Sequence, residues 1–152
     1  MSQNGAGIDL ETSLVYLLKQ ASSALRSAMD EVLRPLGMTV THYSCLELLA
    51  QRPGLSNSEL ARGAFVTRQS MNVLLQTLER EGQVTRPAQP AAGKVLPTRL
   101  TPRGRRSLAK ATAAVRSVEV RMLRGMTAAE QSEAFTILQT MIRSLRPDHE
   151  GA

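Results

Sequence analysis

The chain has no tryptophan, a single cysteine, and only two tyrosines and two phenylalanines, so aromatics make up 3% of it. Each scarcity excludes something. Single-strand and RNA binders that stack bases on aromatic platforms would have too little to work with. One cysteine, Cys45, forms no internal disulfide, a usage that fits a reducing cytoplasm, where the protein is expected to reside. No apolar run approaches the ~18 residues of a membrane span, so no membrane partner is expected. The opening MSQNGAGIDLET has neither the basic nor the apolar region of a secretory signal. The two histidines, His42 and His149, stand far apart, and neither zinc spacing nor a phosphate-cradling Gly loop occurs. Cys45 with His42 lacks an orienting third group. The expectation is therefore no cofactor, no metal and no enzyme.

The most telling absence is of acid. From Gly82 to Val118 there is no Asp or Glu, yet eight basic residues occur, while the whole 152-residue chain is only +6. The positive charge is concentrated, and it directly follows VTRQSMNVLLQTLEREG (Val66 to Gly82). That segment spaces Met71, Leu74, Leu75 and Leu78 at i, i+3, i+4 and i+7, the stripe of a helix packed on one side. Opposite lie Arg68, Gln69, Ser70, Asn72, Val73 and Gln76, mostly short hydrogen-bonders where a solvated helix usually carries Glu and Lys. A readable polar face beside a cationic stretch is the footprint of a nucleic-acid binder.

The other elements follow from periodicity and caps. Residues 1–8 are polar and Gly-rich and are expected to be flexible. Helical spacing of Leu14, Leu17, Leu18, Ala21, Leu25, Ala28, Met29, Val32 and Leu33 predicts a helix from Asp9 to Arg34, stopped by Pro35 and Gly37. Thr39 caps a helix over Val40 to Gln51, with Tyr43, Leu46, Leu49 and Ala50 inward. Ser56 and Glu59 form a capping box opening Asn57 to Gly63, and Thr67 caps the helix that ends at Gly82. Two short strand-like runs around a Pro/Gly/Ala loop predict a hairpin between Gln83 and Thr101, with Pro87 and Pro97 confining both strands to a sheet edge. Thr101-Pro102 opens a long helix to about Arg124. Thr127 and Glu130 box a last helix that stops before Pro147, and 147–152 is expected to be a flexible tail. The fold class is mainly α with a small β-hairpin wing (α+β), a winged helix-turn-helix.

With this element order, GMTVTHYSCLELLA (Gly37 to Ala50), GLSNSELARGAFVTRQSMNVLLQTLEREGQV (Gly54 to Val84) and RLTPRGRR (Arg99 to Arg106), the chain resembles the MarR family of bacterial transcriptional regulators from Glu11 to Arg146. The resemblance implies a winged helix-turn-helix DNA-binding domain at 37–101 and dimerisation helices at 9–36 and 102–146. Apolar surface beyond what one small winged helix can cover points the same way. A homodimer would present two recognition helices to successive major grooves about 34–36 Å apart, so the partner is double-stranded DNA with a pseudo-palindromic site.

Within that reading, Arg68, Gln69, Ser70 and Asn72 are the best candidates to touch bases, with Gln76 further along. Backbone amides of Thr67, Arg68 and Gln69 favour a phosphate oxygen. Many relatives have Thr-Arg where this chain has Asn72-Val73; Val73 offers a methyl contact to thymine instead. Family wings commonly carry Asp-x-Arg at the tip. Here Ala92-Gly93-Lys94 stands in its place, leaving Arg86 and Lys94 as phosphate or groove contacts and weaker minor-groove reading. Arg99, Arg103, Arg105 and Arg106 supply long-range field or simply a solvated basic surface. His42 and Tyr43 lie near where the family binds aromatic anions, so either is a candidate ligand contact; the alternative is a surface His42 and a core Tyr43. The implied function is a repressor released by a small aromatic or phenolic ligand. Two alternatives stay open: a thiol switch at Cys45, although a core role suits that residue better, and a dimeric interaction module without specific DNA binding.

Overall fold

The computed structural model of the protein describes residues 7–87 and 97–146. It divides into two compact units, Met1–Val118 and Glu119–Ala152. Residues 1–6 of the expected flexible start, the expected tail at 147–152 and the wing tip, including Lys94, lie outside the described residues.

Helix α1 spans Leu14–Leu33, with Ser13 as N-cap accepting from the Tyr16 amide. It starts later than the apolar pattern predicts. The Asp9 carboxylate accepts from the Glu11 amide and the Asp9 carbonyl from the Thr12 amide, a local turn that competes with the helix. Nor does the helix stop cleanly at Pro35. A 3-10 turn, Arg34–Leu36, carries Pro35 in its first positions, and Gly37 at φ 70° ends it.

Helix α2 (Val40–Gln51) is capped by Thr39 and buries Cys45, Leu46 and Leu49. Tyr43 and Ala50, expected inward, are only partly buried against this core. Helix α3 (Asn57–Gly63) begins with both bonds of the Ser56–Glu59 capping box. These bonds, with the Ser56 amide first, hold the Glu59 carboxyl below its usual range. Helix α4 (Arg68–Arg80), capped by Thr67, buries Met71, Leu75 and Leu78, while Leu74 is partly buried.

Strands β1 (Val84–Thr85) and β2 (Arg99–Leu100) pair antiparallel with Val84 opposite Leu100 and Thr85 opposite Arg99. The wing has a further root that local pattern does not reveal. Leu55, between α2 and α3, forms an antiparallel bridge with Thr98. Helix α5 (Pro102–Leu123) contributes Leu108 and Ala111 to the same core as α1, α2, α3 and α4. Burial of these aliphatic side chains is what fixes α4 on the unit: a Leu to Ala change at such a site costs about 2–5 kcal/mol. In the second unit, α6 (Ala128–Leu145) starts with the Thr127–Glu130 capping box, and none of its residues is buried.

Candidate nucleic-acid interface

The outer face of α4 projects as its stripe predicts. Arg68, Gln69, Ser70 and Gln76 are exposed, Asn72 is half-buried, and Val73 is 58% exposed. Thr67 organises the start of this face. Its hydroxyl oxygen accepts from the Ser70 amide at 3.0 Å and its O–H donates to Ser70 Oγ at 3.0 Å. The other first-turn amides have no intrahelical acceptor, and together with the helix dipole they favour an anion.

Two bonds latch α3 to α4. Asn57 Nδ2 donates to the Arg68 carbonyl at 3.4 Å, and Arg68 Nη1 donates to Ser58 Oγ at 3.3 Å. Arg68 therefore has a structural task besides its place on the polar face. Sequence reasoning missed Ser58 because a serine in the first turn of a short helix carries no signal of a partner ten residues away.

At the other end of α4 the basic stretch behaves less uniformly than its composition suggests. Arg86 places Nε and Nη2 on Glu79 Oε1 at 3.1 and 2.8 Å, with its side chain only 13% exposed. It straps the start of the wing to α4, so its guanidinium is shared with a carboxylate before any DNA arrives. Thr101 joins α5 to the same region: its O–H donates to the Gly82 carbonyl at 2.6 Å, and its oxygen accepts from the Gly104 amide at 3.0 Å. Gly104 lies so close to Gln83 that a Cβ there would collide with the Gln83 carbonyl oxygen. This gives the L-T-x-x-G stretch a physical reason: a capping threonine and a close helix-to-loop approach. Arg99, Arg103, Arg105 and Arg106 are exposed.

His42 Nε2 lies 3.2 Å from Gln83 Oε1, and both line a cavity of about 410 Å³ with Met38, Glu81, Ser107 and Lys110. Gln83 and Lys110 carry no signal of this in the sequence, since only folding brings them to the same cavity as His42. Tyr43 is partly buried against the core. A second cavity, about 480 Å³, opens between α2 and α5 and is lined by Glu47, Arg105, Leu108, Thr112 and Arg116 among others. Cys45 has no exposed surface, and burial pushes its thiol up to about 12. A group so placed holds almost no thiolate at neutral pH, which removes the reactivity a thiol switch needs. Among the described residues, no group of three or more His, Cys, Asp or Glu could hold a metal ion, and no helix is long and apolar enough to cross a membrane.

A capped α3–turn–α4 pair followed by a two-stranded wing defines the winged helix-turn-helix class. Comparison with known proteins narrows it. The sequence model of the MarR family matches residues 36–94. The HTH-type transcriptional repressor Rv2887 of Mycobacterium tuberculosis is 42% identical over 135 residues, covering 89% of this chain and 97% of the repressor. The crystal structure of Rv2887 with salicylic acid aligns at a TM-score of 0.71 with 43% identity, over 86% of this chain and 96% of that one. Its complex with DNA aligns at 0.72 with 42% identity, over 86% and 98%. The chain belongs to the MarR family of winged helix-turn-helix transcriptional regulators.

Proposed function

We propose that the protein is a homodimeric repressor that binds duplex DNA at a pseudo-palindromic site and is released by a small aromatic acid. The observation that carries this reading is the outward face of α4, where Gln69, Ser70, Asn72 and Gln76 stand clear of the core on a helix fixed at both ends. Amide side chains donate and accept together, as an adenine edge requires. Thr67, Arg68 and Gln69 hold the entering phosphate through their amides. Val73 meets a thymine methyl, and Arg86 and Lys94 serve the flanking backbone. The DNA complex of Rv2887 supports the same use of the fold.

Dimerisation rests on apolar surface in each unit. Leu14 and Val15 of α1 are each 67% exposed, and Phe135 of α6 is 65% exposed. Exposed apolar surface of this kind calls for a partner, and a second copy supplies it with two-fold symmetry. Residues 9–36 and 102–146 form that assembly, leaving 37–101 to the DNA.

The cavity holding His42, Gln83 and Lys110 is the proposed effector site, with the Lys110 ammonium facing the ligand's carboxylate. It sits where α1 gives way to α2 and where α4 passes to the wing. Salicylic acid bound to Rv2887 supports this ligand class. A ligand releases DNA only if it binds one spacing of the recognition helices better than the other.

Selection of bound duplexes from a random pool at fixed salt tests the reading. A pseudo-palindrome with half-sites one helical turn apart is expected, and Gln69→Ala and Asn72→Ala should each relax it at particular positions. Binding without sequence preference would instead identify an interaction module with incidental DNA affinity.

A further inference from the structure

Phe65 lies in the turn between α3 and α4, and it is the sole non-glycine residue with positive φ (60°) among the described residues. The residue is also 81% exposed. The turn has a defined geometry. The Phe65 amide donates to the Arg62 carbonyl at 3.3 Å and the Val66 amide to the Ala61 carbonyl at 3.0 Å. These are the paired bonds of a Schellman ending, with Phe65 in the left-handed position that glycine fills most readily. Val66, the next residue, packs against the core as the motif's apolar contact. A residue with a Cβ therefore strains the turn here, and the exposed ring contributes little to the interior. Strained positions of this kind cluster at functional sites.

We infer that Phe65 is a DNA-contacting residue whose ring packs on the deoxyribose face of one strand at the edge of the major groove. The inference rests on the proposed DNA-binding function and assigns a contact it does not contain. Phe65 stands two residues ahead of Thr67, the N-cap of α4, at the end where first-turn amides await a phosphate. A duplex seated on Gln69 and Arg68 brings its sugar–phosphate strand to this turn. Sugar C–H groups offer an aromatic ring an apolar partner, while neighbouring Arg68 supplies the charge. Phe65 combines the left-handed backbone with high exposure at the α3–α4 corner. Such a contact adds affinity without neutralising a phosphate, so it leaves no trace in the salt dependence.

The test measures binding of the full-length protein to its selected duplex across a salt series, with thermal unfolding in parallel. Phe65→Gly and Phe65→Asn both suit the left-handed position and remove the ring. Each should raise or preserve Tm while weakening binding roughly tenfold per half-site, the effect of covering about a third of an aromatic side chain. The slope of log Kd against log salt should stay at the wild-type value. Phe65→Tyr, which keeps the ring, should bind as the wild type does. Wild-type affinity in Phe65→Gly and Phe65→Asn would overturn the inference and direct the ring to a protein partner instead. A fall in Tm in both would make the residue structural and overturn it as well. A wild type that selects no duplex sinks the DNA-binding function itself, and that failure is visible before any variant is made.

Discussion

Thr101 donates its hydroxyl proton to the Gly82 carbonyl oxygen at 2.6 Å, and so ties the start of α5 to the residue that ends α4. The same oxygen caps α5 by accepting from the Gly104 amide. One side chain thus links the helix that reads DNA in the proposed function to the long helix that runs away from it.

Thr101→Val keeps the shape and removes both bonds. It leaves the part-buried Gly104 amide without its cap, while the exposed Gly82 carbonyl turns to water, and a loss of about 0.5–2 kcal/mol in chemical unfolding is expected. Thr101→Ser, which keeps the hydroxyl, should recover most of that stability.

Gly104→Ala asks the Gln83 backbone to move, since the added methyl group meets its carbonyl oxygen and also approaches Leu100. Overpacking against backbone is expected to cost about 1–3 kcal/mol in the same experiment. Gly125, whose Cβ position is open, is the control: Gly125→Ala should leave stability nearly unchanged.

Arg86 is shared between Glu79 and its proposed phosphate. Glu79→Gln releases it, at a cost of less than about 1 kcal/mol in stability for so partly exposed a pair. Tighter, more salt-sensitive DNA binding is expected from Glu79→Gln. Arg86→Ala should weaken all duplexes alike and lower the salt slope by about one. An unchanged slope in Arg86→Ala would confine this arginine to its bond with Glu79.

Cys45 yields a pH dependence. Its pKa is raised in the folded state to about 12, so the thiol stabilises the fold fully below the unfolded-state value near 9. That contribution is lost as pH climbs toward 12. The stability gap between wild type and Cys45→Ala should therefore narrow between pH 9 and 12. At neutral pH a thiol reagent should label the native protein only at the rate of its opening, and peroxide should leave DNA binding intact. Rapid labelling without unfolding would revive the thiol switch.

Most elements were legible in the sequence because their signals are local. Thr39, Ser56, Thr67 and Thr127 each cap the helix they were expected to cap. The polar face of α4 follows from the i, i+3, i+4, i+7 spacing of its apolar stripe. The start of α1 was misplaced because apolar periodicity continues past a turn that Asp9 closes with its own side chain. The bridge of Leu55 to Thr98 went unseen because a single pairing across 43 residues leaves no pattern in either segment.

The sequence by itself determined which residues face out of α4, since helical pitch alone sorts polar from apolar side chains. It also determined the family, through the order of its elements and the RLTPRGRR stretch. Only the tertiary structure decided the state of individual groups. Arg86 is paired and not free, Cys45 is sealed in the core, His42 bonds Gln83 in a cavity that Lys110 also lines, and Phe65 is held strained and exposed. Pairing, burial and backbone strain depend on neighbours that only folding brings together, whereas a repeat of 3.6 residues can be read from the chain alone.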